Sequence, residues 1–384
     1  MADMRVISAD SHMTEPGDLW VERLDRKFRD NAPRVIKKEA SPGSSFGAPY
    51  VFVGPGFHPL TVAGVFAAGR SGDELREHMR HGYEAARPSG WDPVERLKDQ
   101  DLDGVSAEVL YASLGIALLS MTDADLQQAC MRVYNDWLAE FCSHAPNRLA
   151  GIGLFSLNSL PNVSAIEHCA KHGLRGMLVL ASNTIDIPYS DERFDPLWRL
   201  ASETGMPISL HKPLVSAMTT TPFMPSPADL QIHCIHVVEQ CMTRLVYGGV
   251  FERFPRLRVA TIEAASGWVG EWLERFDYRY KYMGHTSRMK RPASEYFARN
   301  IWVSADPEER MLPLMVQFAG DDKFFIGSDY PHAEGFVDPV RKARERLASL
   351  PADSVNKVLS TTAREFYRIA KRRWFSPHHG NPSP

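Results

Sequence analysis

The chain has 384 residues, 44% of them hydrophobic and 24% charged, with a formal net charge of −3. This is the makeup of a globular protein with ample core, and its near-neutral balance predicts no nucleic-acid and no membrane partner. No apolar run approaches the roughly 20 residues of a spanning helix, and no apolar leader follows the opening Met-Ala-Asp-Met, so a cytoplasmic location is expected.

In chain order, an apolar strand over Arg5–Asp10 runs into Asp10, His12 and Glu15, three metal-ligand residue types within six positions. Side chains two apart on a strand share a face, so Asp10 and His12 project together. Residues 17–90 follow no simple period: Gly, Pro and aromatics cluster between Ser41 and Gly69, and a short charged helix is predicted near Asp73–Tyr83. An insertion this long, rich in aromatics, is expected to be a lid or pocket wall. From Pro93 the pattern becomes regular. Strands are predicted at Val105–Tyr111, Leu149–Leu157, Gly176–Ala181, Pro207–His211, Arg258–Ala264, Asn300–Ser304 and Phe324–Asp329, separated mostly by amphipathic helices. Two closing helices follow, near Pro339–Leu350 and Ser354–Ile369, then a flexible tail over 371–384. The five cysteines (Cys130, Cys142, Cys169, Cys234, Cys241) never form a CxxC pair, which predicts reduced, buried thiols.

Eight strands alternating with helices imply a parallel sheet with right-handed crossovers. The fold class expected is α/β, a single (β/α)8 TIM-barrel domain over 1–370 with the 17–90 insertion after strand one. An open doubly wound sheet is the alternative, but the first strand lacks the Gly-rich phosphate turn that such a sheet carries. Barrel enzymes place their chemistry at the C-terminal ends of the strands. Those ends carry Asp10 and His12 on strand one, His211 on strand five, Glu263 on strand six and Asp329 on strand eight, with Asp306 just beyond strand seven. A ring brings such residues around one cavity. His332, shortly after strand eight, reads as a residue behind the ligands or against substrate, or more plainly as a loop histidine capping backbone. Lys212 is expected to point to the opposite face from His211 and to form a salt bridge. His233 and His236 lie three apart on the helix after strand five, where packing or surface roles are the simpler reading.

The segments Asp10-Ser-His12, Trp91-Asp-Pro-Val-Glu-Arg-Leu97, Gly248-Gly-Val-Phe-Glu-Arg-Phe-Pro255 and Gly327-Ser-Asp-Tyr-Pro-His332 resemble the amidohydrolase superfamily. The branch they resemble includes aminocarboxymuconate-semialdehyde decarboxylase and γ-resorcylate decarboxylase. The resemblance covers nearly the whole chain and implies a divalent metal held at the strand ends. Decarboxylases of this branch carry His-x-His on strand one and a catalytic histidine on strand six, where this chain has Asp10 and Glu263. A subgroup sharing the Asp-x-His-x-x-Glu-Pro opening, a segment like Lys27–Arg34 and the strand-six glutamate is similar to the metal-dependent oxygenases of the superfamily. This chain fits that subgroup better.

The ligand chemistry gives these replacements a meaning. Asp10, His12, His211, Glu263 and Asp329 bring three negative charges and mostly hard oxygen donors, which tilts the site from zinc towards manganese or iron. If Glu15 also turns in, four carboxylates and two imidazoles could hold two ions about 3.5–4 Å apart. The leading expectation is a metal-dependent hydrolase or decarboxylase of a small organic acid. In it a metal-activated water is served by Asp329 as ligand and base, with Glu263 and His332 as the other catalytic candidates. A dinuclear Fe/Mn monooxygenase and a non-catalytic subunit of a mixed oligomer are the alternatives. A homo-oligomer, as a dimer, is the expected assembly, with a hetero-oligomer as the variant.

Overall fold

A computed structural model describes residues 5–38, 49–155, 157, 163–182, 187–213 and 227–370; the expected tail over 371–384 and part of the Ser41–Gly69 stretch lie outside them. The first strand is β1 (Val6–His12). Inside the insertion come β2 (Arg34–Lys37), β3 (Tyr50–Val53) and β4 (Leu60–Thr61). Then follow β5 (Val105–Tyr111), β6 (Leu149–Leu154), β7 (Gly176–Leu180), β8 (Ile208–His211), β9 (Val259–Ile262), β10 (Ile301–Ala305) and β11 (Phe324–Ile326). Eight of them pair in the order β1-β5-β6-β7-β8-β9-β10-β11, every neighbour parallel. Parallel strands covered by helices are buried on both faces, so they read as continuous apolar runs. Every residue of β1, β6, β7, β8 and β9 is buried.

The seam between β11 and β1 closes the ring through the chain just beyond β11. Ser328 N and Asp329 N both donate to Asp10 O, at 3.0 and 2.9 Å, and His12 N donates to Tyr330 O at 2.7 Å. Buried serines lock the same seam, with Ser8 Oγ 2.9 Å from both Ser11 Oγ and Ser328 Oγ. The seam therefore fixes Asp10 and Asp329 relative to each other before any side chain is considered. This is the (β/α)8 barrel expected from the alternation.

The helices follow the apolar periodicity closely. The amphipathic helix after β5 spans Ala124–Ser143, its first turn capped by the Asp123 carboxylate, which accepts from Asp125 N and Leu126 N. Pro93–Asp103 is capped in the same way by Asp92 and ends at Gly104 with φ 71°, a left-handed position that favours glycine. The predicted last helix runs unbroken over Ala352–Phe366 and widens to a π-helical turn over Lys357–Thr361. The insertion holds an antiparallel sheet, β2-β3-β4, that periodicity does not reveal. The five cysteines are free and buried, as expected. No described helix is long and apolar enough to cross a membrane.

Candidate metal centre

Two of the strand ends finish in histidines held alike. His12 Nδ1 lies 3.0 Å from Ala112 O, and His211 Nδ1 lies 2.9 Å from Lys212 O. A carbonyl only accepts, so both Nδ1 atoms carry protons and both Nε2 atoms turn to the barrel axis. Three carboxylates converge on Nε2 of His12: Glu263 Oε1 at 3.1 Å, Asp329 Oδ1 at 3.3 Å and Asp10 Oδ1 at 3.4 Å. His211 Nε2 faces Glu263 Oε1 at 3.6 Å. Burial alone would lower the His12 pKa, but Asp10, Glu263 and Asp329 outweigh it and hold it well above the ordinary histidine value. In the metal-free protein the converging negative charge is met by a proton on Nε2; a divalent cation meets it better.

Two observations show that these residues fit such a cation. Asp10 Oδ1, His211 Nε2, Glu263 Oε2 and Asp329 Oδ1 are buried yet make no hydrogen bond of good geometry, which is costly for groups of this polarity. Metal-ligating histidines also characteristically tie off the second ring nitrogen on a carbonyl or carboxylate, as both do here. The donor atoms form two overlapping groups, Asp10/His12/His211/Glu263 and His12/Glu263/Asp329/His332, within each of which the ligand atoms lie within 4.8 Å of one another.

Local backbone sets the two outer carboxylates. Glu263 lies one residue past β9 and Asp329 three past β11, with φ of 53° and 51°. Such left-handed conformations are uncommon for residues other than glycine, and they turn the side chains off the strands and into the centre. Burial would raise the Glu263 pKa, but Lys212, His211 and His12 together pull it well below the usual carboxylate range. Asp329 moves the other way, pushed well up by burial and by the neighbouring charges of Glu263 and Asp10.

His332 lies with the cluster. Its ring stacks on His12 with centroids 3.9 Å apart, Nδ1 lies 2.9 Å from Asp329 Oδ1, and Nε2 lies 2.8 Å from Ser113 Oγ. Ser113 spends its one hydroxyl proton on Met13 O, at 2.5 Å. His332 Nε2 must then carry a hydrogen, so the neutral ring turns the lone pair of Nδ1 towards Asp329 and the centre. Burial, with His12 alongside, pulls the His332 pKa well down.

Glu15, expected as a sixth ligand, is not brought to this cluster. β1 ends at His12, and the chain carries the carboxylate of Glu15 to the backbone N–H groups of Ser113, Leu114 and Gly115, at 2.9 to 3.0 Å. Burial raises its pKa against those donors. Lys212 departs from expectation in the opposite sense. Because β8 also ends at its histidine, strand alternation no longer governs Lys212, and its Nζ reaches Glu263 Oε2 at 2.9 Å and Glu334 Oε1 at 2.8 Å. The expected salt bridge forms, but it is made to the centre itself. Burial lowers the Lys212 pKa, and Glu263 and Glu334 more than restore it, so the ammonium stays charged. Asp306 stands nearby, pushed to about 7 by burial and by Glu309, Asp10 and Glu263. His236 is exposed and His233 half-buried, and neither belongs to the ligand groups.

Above the centre opens a cavity of about 500 Å³. Leu60, Val65, Leu75 and Met79 of the insertion give it an apolar wall, and Ser113, His211, Lys212, Glu263, His332 and Glu334 give it a polar floor and rim.

The chain matches the amidohydrolase family over residues 56–369. It is 23% identical over 296 residues to the 2-amino-3-carboxymuconate-6-semialdehyde decarboxylase of Dictyostelium discoideum, covering 74% of this chain and 79% of that protein. It superposes on an amidohydrolase of Mycobacterium avium subsp. paratuberculosis with a TM-score of 0.75 at 20% identity, covering 96% of this chain and 100% of the other. The 5-carboxyvanillate decarboxylase of Novosphingobium aromaticivorans, solved with manganese and 4-hydroxy-3-methoxy-5-nitrobenzoic acid, gives a TM-score of 0.65 at 20% identity, covering 95% and 96%. At such identities the structural likeness shows the shared barrel.

Proposed function

This chain belongs to the amidohydrolase family, and within it we propose that it is a metal-dependent carboxy-lyase releasing CO2 from a small aromatic or conjugated acid. Asp10, His12, His211 and Glu263 would hold the divalent ion, manganese by the hardness of the donors. When bound, the ion neutralises and orients an anionic oxygen of the substrate. The apolar wall from the insertion receives the carbon skeleton and excludes water, which makes the insertion a pocket wall.

The observation that carries this reading is the buried Asp329 carboxyl, whose Oδ1 lies 2.9 Å from His332 Nδ1 and whose pKa burial and Glu263 push well up, which suits it to hold a proton. Hydrolysis needs a base that takes a proton from water. Decarboxylation needs an acid that gives one to carbon. When the bond between the carboxylate and its carbon breaks, the electron pair stays on that carbon, and the proton at Asp329 completes the new C–H bond as CO2 leaves. His332, anchored on Ser113, keeps Asp329 aimed. Lys212 at the cavity floor favours an anionic substrate.

The test is CO2 release by manganese-loaded protein from the acids that its relatives' names supply: 2-amino-3-carboxymuconate-6-semialdehyde, 5-carboxyvanillate and 2,6-dihydroxybenzoate. Manganese-dependent release from at least one is expected, and abolished in Asp329→Ala. A second reading, a dinuclear oxygenase, draws on the two overlapping ligand groups. It gains if no acid loses CO2 while iron-loaded protein consumes O2 with a substrate, and it fails if turnover is unchanged under strict anaerobiosis.

A further inference from the structure

We infer that Glu309 is a positioning residue for the metal ligand Glu263: its carboxylate clamps the turn after β9 and so keeps Glu263 aimed at the centre. The inference rests on the metal reading of the cluster given above.

Glu263 lies beyond the strand that leads to it. β9 pairs with β8 as far as Ile262, which lies against His211, and there the ladder stops. Past that point two residues take left-handed backbone, Glu263 with φ 53° and Ala265 with φ 52°. Neither is glycine, so both conformations are sterically strained and persist only where the surroundings fix them. The contacts of Glu263 with His12 and Lys212 are made by its carboxylate, at the end of a rotatable side chain, and leave the backbone unset.

The anchor is Ser266, three residues on and wholly buried. Glu309 reaches it from the loop that follows the next strand, β10. Ser266 N donates to Glu309 Oε1 at 2.8 Å and to Oε2 at 3.0 Å, and Ser266 Oγ donates to Oε1 at 2.8 Å. Bonds to an ionised acceptor are roughly twice as strong as neutral ones. Trp268 Nε1 adds a bond to Ala265 O at 3.0 Å. The turn is thus fixed at both ends, by the β8–β9 ladder before Glu263 and by Glu309 after it. Glu309 itself belongs to neither ligand group, so its influence on a bound ion runs through this turn.

Losing the clamp has two separable consequences. Ser266 N and Oγ lose their acceptor in a buried position, which lowers stability whatever Glu263 does. The left-handed residues are also released towards ordinary backbone, which swings Glu263 off the centre and weakens metal binding. A purely structural Glu309 would produce the first effect without the second.

The test is manganese titration calorimetry on full-length protein stripped of metal, run well below the unfolding midpoint, with thermal unfolding measured alongside. Glu309→Ala is expected to lower manganese affinity roughly 10–100-fold, as when support behind a ligand is lost. Glu309→Met, which fills the same space without an acceptor, serves as the second variant should Glu309→Ala fold poorly, with the same loss expected. Glu309→Gln keeps one oxygen, enough to accept from both N and Oγ of Ser266 as Oε1 does here, and is expected to restore most of the affinity. Wild-type manganese affinity in a folded variant without the acceptor, even with a lowered unfolding midpoint, overturns the inference and leaves the ligand set standing. An equal loss in Glu309→Gln also overturns it, because the acceptor for Ser266 is then present. No manganese bound by wild type overturns the metal reading itself.

Discussion

Gly327→Ala tests how the barrel seam sets the metal centre. A Cβ placed on Gly327 would lie 2.4 Å from Asp10 Cβ, 3.4 Å from Asp10 Cα and 3.0 Å from Ser304 Oγ. Carbon atoms in contact sit about 3.5–4.0 Å apart, so β1 or the chain beyond β11 must yield by roughly 1 Å. Neither is free to do so. The atoms met are backbone and its first side-chain carbon, and the hydrogen bonds of Ser328 N and Asp329 N to Asp10 O span the same seam. Overpacking of this kind costs about 1–3 kcal/mol. Carboxylate ligands bond a metal at about 2.0–2.2 Å, so a shift of roughly 1 Å removes Asp10 from an ion held by His12 and His211. Metal affinity should fall by at least the roughly 10–100-fold seen when support behind a ligand is lost. Denaturant unfolding of the metal-free protein measures the first effect and manganese titration calorimetry the second. A variant that keeps wild-type stability and wild-type manganese affinity would refute both the seam argument and the assignment of Asp10.

Further predictions rest on the same geometry. Arg96 is fully buried, forks onto Glu108 at 2.6 and 3.1 Å, and donates to His12 O at 2.8 Å. Arg96→Ala strands the buried Glu108 carboxylate and should cost about 3–5 kcal/mol in denaturant unfolding; a loss under about 1 kcal/mol, the range of exposed pairs, would contradict the account. Manganese affinity should fall as the pH falls, beginning above pH 6.5, because the His12 proton, held well above that ordinary value, must leave before Nε2 can bind. In the metal-free protein the same raised pKa stabilises the fold, fully below pH 6.5, and that contribution is lost as the pH rises through the folded value. Titration calorimetry in buffers of different ionisation enthalpy should show proton release on binding. An affinity that stays flat between about pH 6.5 and about pH 8 would exclude His12 as a ligand.

The barrel was legible because its strands are buried on both faces and punctuated by Gly, Pro and capping residues; Asp92 and Gly104 bracket one helix. The insertion sheet was not. Arg34–Lys37 is exposed or half-buried throughout, so neither alternation nor a continuous apolar run marks it. At the centre, Asp10, His12, His211, Glu263 and Asp329 come together as their strand-end positions imply. The two misplacements share a cause. Glu15 and Lys212 both follow a histidine at which a strand stops, and periodicity carries no information past that point. What places them is distant in sequence: the N–H groups of Ser113–Gly115 for Glu15, and Glu263 and Glu334 for Lys212. The tautomer of His332 was equally out of reach, since it depends on where Ser113 spends its hydroxyl hydrogen.

The most direct measurement is the anomalous difference map of crystals grown with manganese. The account predicts one peak per chain, within bonding distance of Nε2 of both His12 and His211 and of carboxylate oxygens from Asp10 and Glu263. No peak at those atoms, or a manganese ion bound without either histidine, would contradict it.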